Sequence, residues 1–592
     1  MFQKMRWING RVWSKWGDPC IDLSCLTAFW LLSVTVVNPV GNFPLNDDWS
    51  FGLTVKHLLE TGNYQAGGWV GMTLLMNVLW GSTFCLLHGF SFTVLRFSTL
   101  VASWLGMVAV YGLMRECRQS RGVTLLAALV FAFDPVYYLL SYTFMTDVLF
   151  VALAISAGIF FLRDLTGSSN RNLFLATLFS LAAVMSRQVG LAVPLAFAVV
   201  STWQHGGKAR STLRAAAPLI LCVAAMIGFE YWQARTGRLP ALYNTKSKSL
   251  VLAFGNPVKL AGVLAHSVYL TLMYLGLYLS PLLVLSLPGL GRQDKKLRFV
   301  FGCAVAVMAG LTVVNGLCGK GYTMPLSTNI INKSGLGPLT LQDSIQVNTT
   351  PMLPGYFWMA VTLICVAGAA ILISRGIAIA VELSPKLVPY RLNADQTGAV
   401  FLLLTAIINL APFFATGFVD RYLFPAVPFL MAGLLMPICG PQTQAHGHLN
   451  KPAQTRQPDS PVGFVPGKVV AAILLGGFVL FSVCGTRDYL AWNRARWRAL
   501  NDLIHQDQVQ PAAIDGGFEF NGYYLYRPDF KIDPSKGPWW VVDNEFLVNF
   551  HPATNYSVYR TYPYYHWMPT YMGRIYVLKR NAIAAGPVDG QR

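Results

Sequence analysis

Residues 20–49 read CIDLSCLTAFWLLSVTVVNPVGNFPLNDDW: an apolar run to Val40, then, a few residues on, the acidic pair Asp47-Asp48. The run is long enough to cross a bilayer as one helix. Before it stand Lys4, Arg6, Arg11 and Lys15. No small-residue cleavage site precedes Asn42-Phe43-Pro44, so the segment reads as a retained first span with a cytoplasmic N-terminus. Carboxylates at a bilayer edge are costly to desolvate and commonly serve a function. The pair is therefore the first candidate site.

The rest of the chain repeats the apolar pattern. Of its 592 residues 54% are hydrophobic and 12% charged, with a mean hydropathy of +0.46. That is more apolar surface than a soluble protein of this size can hide, which implies an integral membrane protein. Apolar stretches at about 20–40, 93–114, 122–140, 146–162, 172–186, 189–203, 214–232, 262–287, 299–317, 356–374, 397–415, 422–438 and 468–486 predict about 13 transmembrane helices. Between the first two, the loop 41–92 holds an amphipathic surface helix at Ser50–Thr61 and a short re-entrant or interfacial piece at Leu74–Leu87.

Loop charges test the register. The loops expected in the cytoplasm carry Arg115, Arg118 and Arg121; Arg163 and Arg171; Lys208, Arg210 and Arg214; Arg292, Lys295, Lys296 and Arg298; Arg375, Lys386 and Arg391; and Lys451, Arg456 and Lys468. Each is net basic, as the positive-inside rule requires. The same rule accounts for the net charge of +19. Scattered short basic loops point to anionic membrane lipid as partner and away from nucleic acid. The 10 cysteines fall mostly inside spans, with no CxxC spacing. They form neither a disulfide framework nor a metal site.

Two domains are expected: a transmembrane catalytic domain over 1–486 and an extracytoplasmic α/β domain over 487–592. In the latter, Asp488–Gln506 reads as an amphipathic helix lying on the membrane. Strand-like runs follow at 512–515, 539–543, 557–560 and 574–578. The Gln- and Pro-rich stretch 440–466 reads as a cytoplasmic linker. With an odd number of spans, the C-terminal domain lies outside, in the periplasm of a bacterial inner membrane.

On this topology the unusual polar residues share the outer side. Asp47 and Asp48 follow the first span, Asp134 ends the third and Asp147 opens the fourth. Arg187-Gln188 fills a tight turn, His266 starts a later span, and Asp420-Arg421-Tyr422 precedes the twelfth. Lys246 and Lys248 sit in the outer loop 233–260. Each has a plainer explanation. Asp48 and Asp147 suit helix N-caps, Asp134 before Pro135 suits a turn, Arg187 suits headgroup snorkelling, and Arg421 suits a local ion pair with Asp420. The co-location favours function: acids and arginines in one cleft fit an anionic substrate handled by acid–base chemistry.

A sugar carried on a polyprenyl phosphate fits that cleft. Its phosphate sits at headgroup depth, a carboxylate takes the acceptor hydroxyl's proton, and arginine forks hold the leaving phosphate. No nucleotide-binding loop is needed, and none occurs. Together Asn46-Asp47-Asp48-Trp49, Phe144-Met145-Thr146-Asp147, Ser186-Arg187-Gln188-Val189-Gly190 and Asp420-Arg421-Tyr422-Leu423-Phe424-Pro425 resemble the GT-C superfamily. The likeness is to its glycosyltransferase family 39-like members, the protein-mannosyltransferase and aminoarabinose-transferase relatives. It implies a GT-C-like polytopic fold and an inverting glycosyltransferase. It also implies Asp47 as general base with Asp48 beside it, and Asp147 positioning the acceptor or a divalent cation. Arg187, Gln188, Arg421, Lys246 and Lys248 match the donor phosphate more loosely, and His266, Asp420 and Tyr422 are further candidates. The pair is Asp-Asp where the family carries an Asp-Glu-like pair, which moves the second carboxylate by one methylene. No resident cofactor or metal site is indicated beyond that possible cation. The acceptor is a glycan, lipid or protein. The alternatives are a transporter or lipid flippase, which needs ionisable groups or broken helices at mid-membrane, and a non-catalytic assembly subunit. Spans such as 356–374 and 397–415 carry no acid or base, and Glu230 is the main exception.

Overall fold

The computed structural model describes residues 18–243, 257–286, 295–343, 353–387, 390, 392–416, 418–436, 466–533 and 536–581. The linker at 440–465 and the loop lysines Lys246 and Lys248 lie outside the described residues.

Helix α1 (Pro19–Val37) starts where the sequence provides a start signal. Asp18 caps it by accepting from the Cys20 N–H at 2.8 Å, and Pro19 occupies the first turn, where its missing N–H costs nothing. One face of α1 buries Leu26 and Trp30, while Leu31, Leu32 and Val36 point outward. An apolar outward face has a favourable environment only in lipid.

After α1 come α2 (Asp48–Thr61) and α3 (Leu75–His88), the surface and interfacial pieces expected in the loop 41–92. The bundle continues with α4 (Phe92–Glu116), α5 (Arg121–Ala132), α6 (Pro135–Leu140), α7 (Thr146–Gly167) and α8 (Asn170–Ser186). A 3₁₀ turn (Gln188–Leu191) leads into α9 (Ala192–Gln204), α10 (Ala209–Arg235), α11 (Pro257–Tyr278) and α12 (Ser280–Leu283). Then follow α13 (Lys295–Leu317), α14 (Gly355–Leu387), α15 (Ala394–Thr416), a 3₁₀ segment (Asp420–Ala426), α16 (Val427–Leu435) and α17 (Pro466–His505). Nine helices among the described residues are long and apolar enough to cross a membrane. The other four segments of the expected thirteen are shorter: α5 with α6, α8, the turn leading into α9, and the 3₁₀ segment leading into α16. The protein is a multi-pass helical membrane protein with a small C-terminal sheet.

Two expectations for the tail are corrected. Residues 488–505 do not form a separate helix lying on the membrane: α17 runs through them without a break from the last span. Tyr489, Leu490, Trp497, Leu500 and Leu503 are buried in the protein interior, so this stretch is amphipathic toward protein. The Trp-rich stretch 539–543 is not a strand. Trp540 takes a left-handed backbone (φ +50°) that interrupts extension, and its ring is buried against Trp49 and Phe518. The strands lie at β3 (Ile514–Asp515), β4 (Phe546–Asn549), β5 (Tyr556–Trp567) and β6 (Thr570–Arg580), in the order β3-β4-β6-β5. Only β3 and β4 are parallel; β4–β6 and β6–β5 are antiparallel. A smaller hairpin, β1 (Ile331–Asn332) with β2 (Gly335–Leu336), lies between α13 and α14 in the chain.

The C-terminal part grips the first interhelical loop. Trp49 and Trp69 each pack against Phe518, Tyr526 and Trp540, with ring centroids 5.0–6.3 Å apart. Gly522, on α18 (Phe518–Leu525), is pressed onto Trp49: a Cβ there would lie 2.4 Å from the indole. Gly522→Ala is therefore expected to lower stability by about 1–3 kcal/mol, the usual cost of overpacking. The midpoint of thermal unfolding in detergent measures it.

Candidate active site

The tight turn before α2 sets the geometry of the acidic pair. Asn46 takes a left-handed backbone (φ +56°), which asparagine tolerates, and the chain then enters the helix. The two carboxylates go different ways. Asp48 is buried and fastens backbone: Oδ1 accepts from the Leu45 N–H at 2.5 Å and Oδ2 from the Phe144 N–H at 3.0 Å. Burial pushes its carboxyl up to about 8, against the pull of those two N–H groups. It holds the loop after α1 to the turn before α7.

Asp47 stands at the N-cap position of α2 but makes no side-chain cap hydrogen bond. Its Oδ1 accepts from Trp69 Nε1 at 3.0 Å and its Oδ2 from Arg421 Nη2 at 3.2 Å. With its side chain 19% exposed, it is the accessible member of the pair.

Arg421 continues the chain of contacts. Its guanidinium carbon lies 5.5 Å from the centroid of the Tyr422 ring. The guanidinium of Arg187 lies at the same distance from that ring. Arg187, 8% exposed, is paired with Asp147 and so is not a snorkelling side chain. Nor is Asp147 an N-cap; that position belongs to Met145. Asp47, Arg421, Tyr422, Arg187 and Asp147 thus form one continuous polar chain from segments that are far apart in sequence. Three of its buried atoms have no hydrogen-bond partner among the described residues: Nε and Nη1 of Arg421, and Oδ2 of Asp147. Buried donors left unpaired cost free energy, and an anion placed there would relieve that cost.

The other candidates fall elsewhere. Asp420 does not pair with the Arg421 side chain. Its Oδ2 accepts from the Ile330 and Ile331 N–H groups, both at 2.9 Å, and its Oδ1 from the Arg421 N–H at 2.7 Å. It ties the β1–β2 hairpin to the 3₁₀ segment that presents Arg421. Asp134 caps α6 through the Val136 and Tyr137 N–H groups. Gln188 lies beside the Tyr243 hydroxyl, which also bonds Glu230. His266 stacks on Tyr269. Among the described residues no group of three or more His, Cys, Asp or Glu side chains gathers to hold a metal ion.

Three supports were not read from the sequence. Trp69 donates to Asp47. Arg96, fully buried, holds the loop after α1 through the carbonyls of Pro39, Gly41 and Phe43, and the turn before α7 through that of Tyr142. Glu519 accepts from the Asn46 N–H at 3.0 Å through Oε1, and through Oε2 from Thr340 Oγ1 at 2.7 Å and Arg496 Nη1 at 2.8 Å. Arg96 had a sequence signal, as a lone charge near the start of an apolar span. Glu519 had none, because it lies 473 residues from its partner Asn46.

The family model for dolichyl-phosphate-mannose-protein mannosyltransferase matches residues 76–232. No curated protein matches the chain. Among solved structures it is similar to the apo oligosaccharyltransferase of Archaeoglobus fulgidus, at 14% identity and a TM-score of 0.40 over 83% of this chain and 59% of that one. The chain thus spans 59% of the length of that protein. It is similar to ArnT from Cupriavidus metallidurans bound to undecaprenyl phosphate, at 14% identity and a TM-score of 0.35 over 96% of this chain and 99% of that one. With the apo state of that ArnT the identity is 15% and the TM-score 0.30, over 70% and 77%. Through residues 76–232 the chain is similar to the protein-mannosyltransferase members of the GT-C glycosyltransferases, as its motifs lead one to expect.

Proposed function

We propose that the protein is an inverting glycosyltransferase. It takes a sugar from a polyprenyl-phosphate donor and passes it to an acceptor hydroxyl at the outer face of a bacterial inner membrane. The observation that carries this reading is the state of Arg421: its side chain is 11% exposed and paired to Asp47 through one nitrogen, while its buried Nε and Nη1 have no partner among the described residues. The family model's name, that of enzymes of a dolichyl-phosphate sugar, supports the same donor class over residues 76–232.

The mechanism follows from the charges. Arg421 holds the Asp47 carboxylate through a hydrogen bond from Nη2 to Oδ2. A donor phosphate is the stronger partner for a guanidinium, since it offers more oxygens and more charge. As it engages Arg421, with Arg187 also beside Tyr422, it competes with Asp47 and frees the carboxylate. Asp47 then takes the acceptor proton while the C–O bond forms at the anomeric carbon. The bond to phosphate breaks, and polyprenyl phosphate leaves with its charge held by the arginines. Asp147 keeps Arg187 oriented, and its free Oδ2 is available to the acceptor. Asp47 is thereby released from Arg421 only when a donor is present. The acceptor is a glycan, lipid or protein hydroxyl.

Mass spectrometry of polyprenyl-linked lipids and envelope glycans from a strain lacking the gene tests the reading. One polyprenyl-phosphate sugar should accumulate and one glycan should lose that sugar, with both corrected by the wild-type gene. Arg421→Lys, which keeps the charge but not the fork, should fail to correct either. An unchanged profile in the deleted strain would overturn the reading and favour transport.

A further inference from the structure

The β5–β6 hairpin bends back along α17 to the level where that helix leaves its apolar segment. In α17 the apolar run ends near Cys484, and Arg487 and Asp488 follow. Asp488 receives the hairpin tip: its Oδ1 accepts from the Trp567 N–H at 2.8 Å and its Oδ2 from the Met568 N–H at 3.0 Å. Arg487 bonds the Tyr565 carbonyl, and its guanidinium carbon lies 4.6 Å from the Trp567 ring centroid. A second span sets the depth. The chain just past α1 is held by Arg494, whose Nε donates to the Val40 carbonyl at 3.1 Å. Arg494 lies six residues beyond Asp488 on the same helix, which is about 9 Å along its axis. The hairpin tip is thus attached to α17 six residues nearer its apolar run than Val40, which lies three residues past α1 and is 56% exposed.

The side chains turned outward at that depth suit the position. Strand alternation puts Tyr564 and His566 inside and leaves Tyr565 and Trp567 outside, 45% and 38% exposed. Across the hairpin, Tyr565 pairs with Met572 (64% exposed), and Pro563 pairs with Arg574. Aromatic rings, a methionine and an arginine on the outward face, with Arg487 of α17 against the Trp567 ring, are the composition of a membrane-interface anchor. Rings sit at headgroup level, and guanidinium groups reach the phosphates.

We propose that the outward face of the β5–β6 hairpin tip is embedded in the bilayer that the spans cross, at the headgroup–acyl boundary. It forms a second membrane attachment for the C-terminal domain besides α17. The domain that grips the Asp47 loop is thereby held at fixed height and rotation over the bundle, which one helix alone would not secure. The anchor does not depend on the reaction proposed above.

The test uses the full-length protein in lipid nanodiscs. A nitroxide at Met572→Cys, in a background with the other cysteines replaced, is compared by power-saturation EPR with one at Ser557→Cys on the far end of β5. At position 572 collisions with oxygen should exceed those with a water-soluble nickel chelate, and at 557 the order should reverse. A nickel preference at 572 equal to that at 557 would overturn the proposal. The native protein gives an independent readout. Water-borne hydroxyl radicals should oxidise Met572 as slowly as Met359, which lies outward on the apolar helix α14. Oxidation several-fold faster than at Met359 would also overturn it.

Discussion

Asp47→Asn is expected to reduce kcat for sugar transfer by about 10²- to 10⁴-fold, the range that a positioned general base contributes, while the protein folds normally. The substitution keeps the size of the side chain and one oxygen. One of the two donors now facing Asp47, Trp69 Nε1 or Arg421 Nη2, retains an acceptor. The other loses a hydrogen bond, and Arg421 loses its counter-charge. Donor binding therefore persists or tightens, because the phosphate no longer competes with a carboxylate for the guanidinium. Steady-state kinetics with a separate donor-binding measurement distinguish this from a structural defect. A variant that keeps more than about a tenth of the wild-type kcat, well outside that range, would remove Asp47 as the base. Loss of donor binding together with activity would make Asp47 a binding residue.

The second large effect is one of stability. Arg496 and Glu519 are an ion pair with neither side chain exposed. Arg496 also donates to the Gly516 carbonyl through Nε at 2.9 Å and Nη2 at 2.7 Å. Removing one partner leaves a buried charge uncompensated, at a cost of about 3–5 kcal/mol. Glu519→Ala is expected to fall in that range and to loosen the Asn46 turn, whose N–H loses its acceptor. Glu519→Gln keeps an oxygen for that N–H and should cost less. The order wild type, Gln, Ala in unfolding midpoint checks this, as does earlier proteolytic release of the region after α17. Equal stability of Ala and wild type would show that the pair does not hold the two parts together.

These predictions differ in how much of them the sequence carried. Asp47, Asp147, Arg187 and Arg421 could be singled out from the chain because charge is rare beside apolar spans, and Tyr422 came in as the neighbour of Arg421. Hydropathy and the positive-inside rule then assigned them all to one face. Placing them on one side did not order them. Arg421 had its nearest candidate partner next door in Asp420, and sequence distance favoured that pair. Three backbone N–H groups compete for Asp420 and win, which leaves Arg421 to Asp47, 374 residues away.

The same contrast runs through the fold. The sequence by itself determined the membrane-spanning character, the approximate position of each apolar helix and the candidate residues. Each of these depends on local composition and a period of a few residues. Tertiary structure alone decided the rest: the break of 539–543 at Trp540, the continuation of the last span to His505, and the opposite roles of the adjacent Asp47 and Asp48. These outcomes depend on which groups meet across hundreds of residues. A buried donor takes whichever acceptor packing brings near, and one-dimensional spacing holds no record of that.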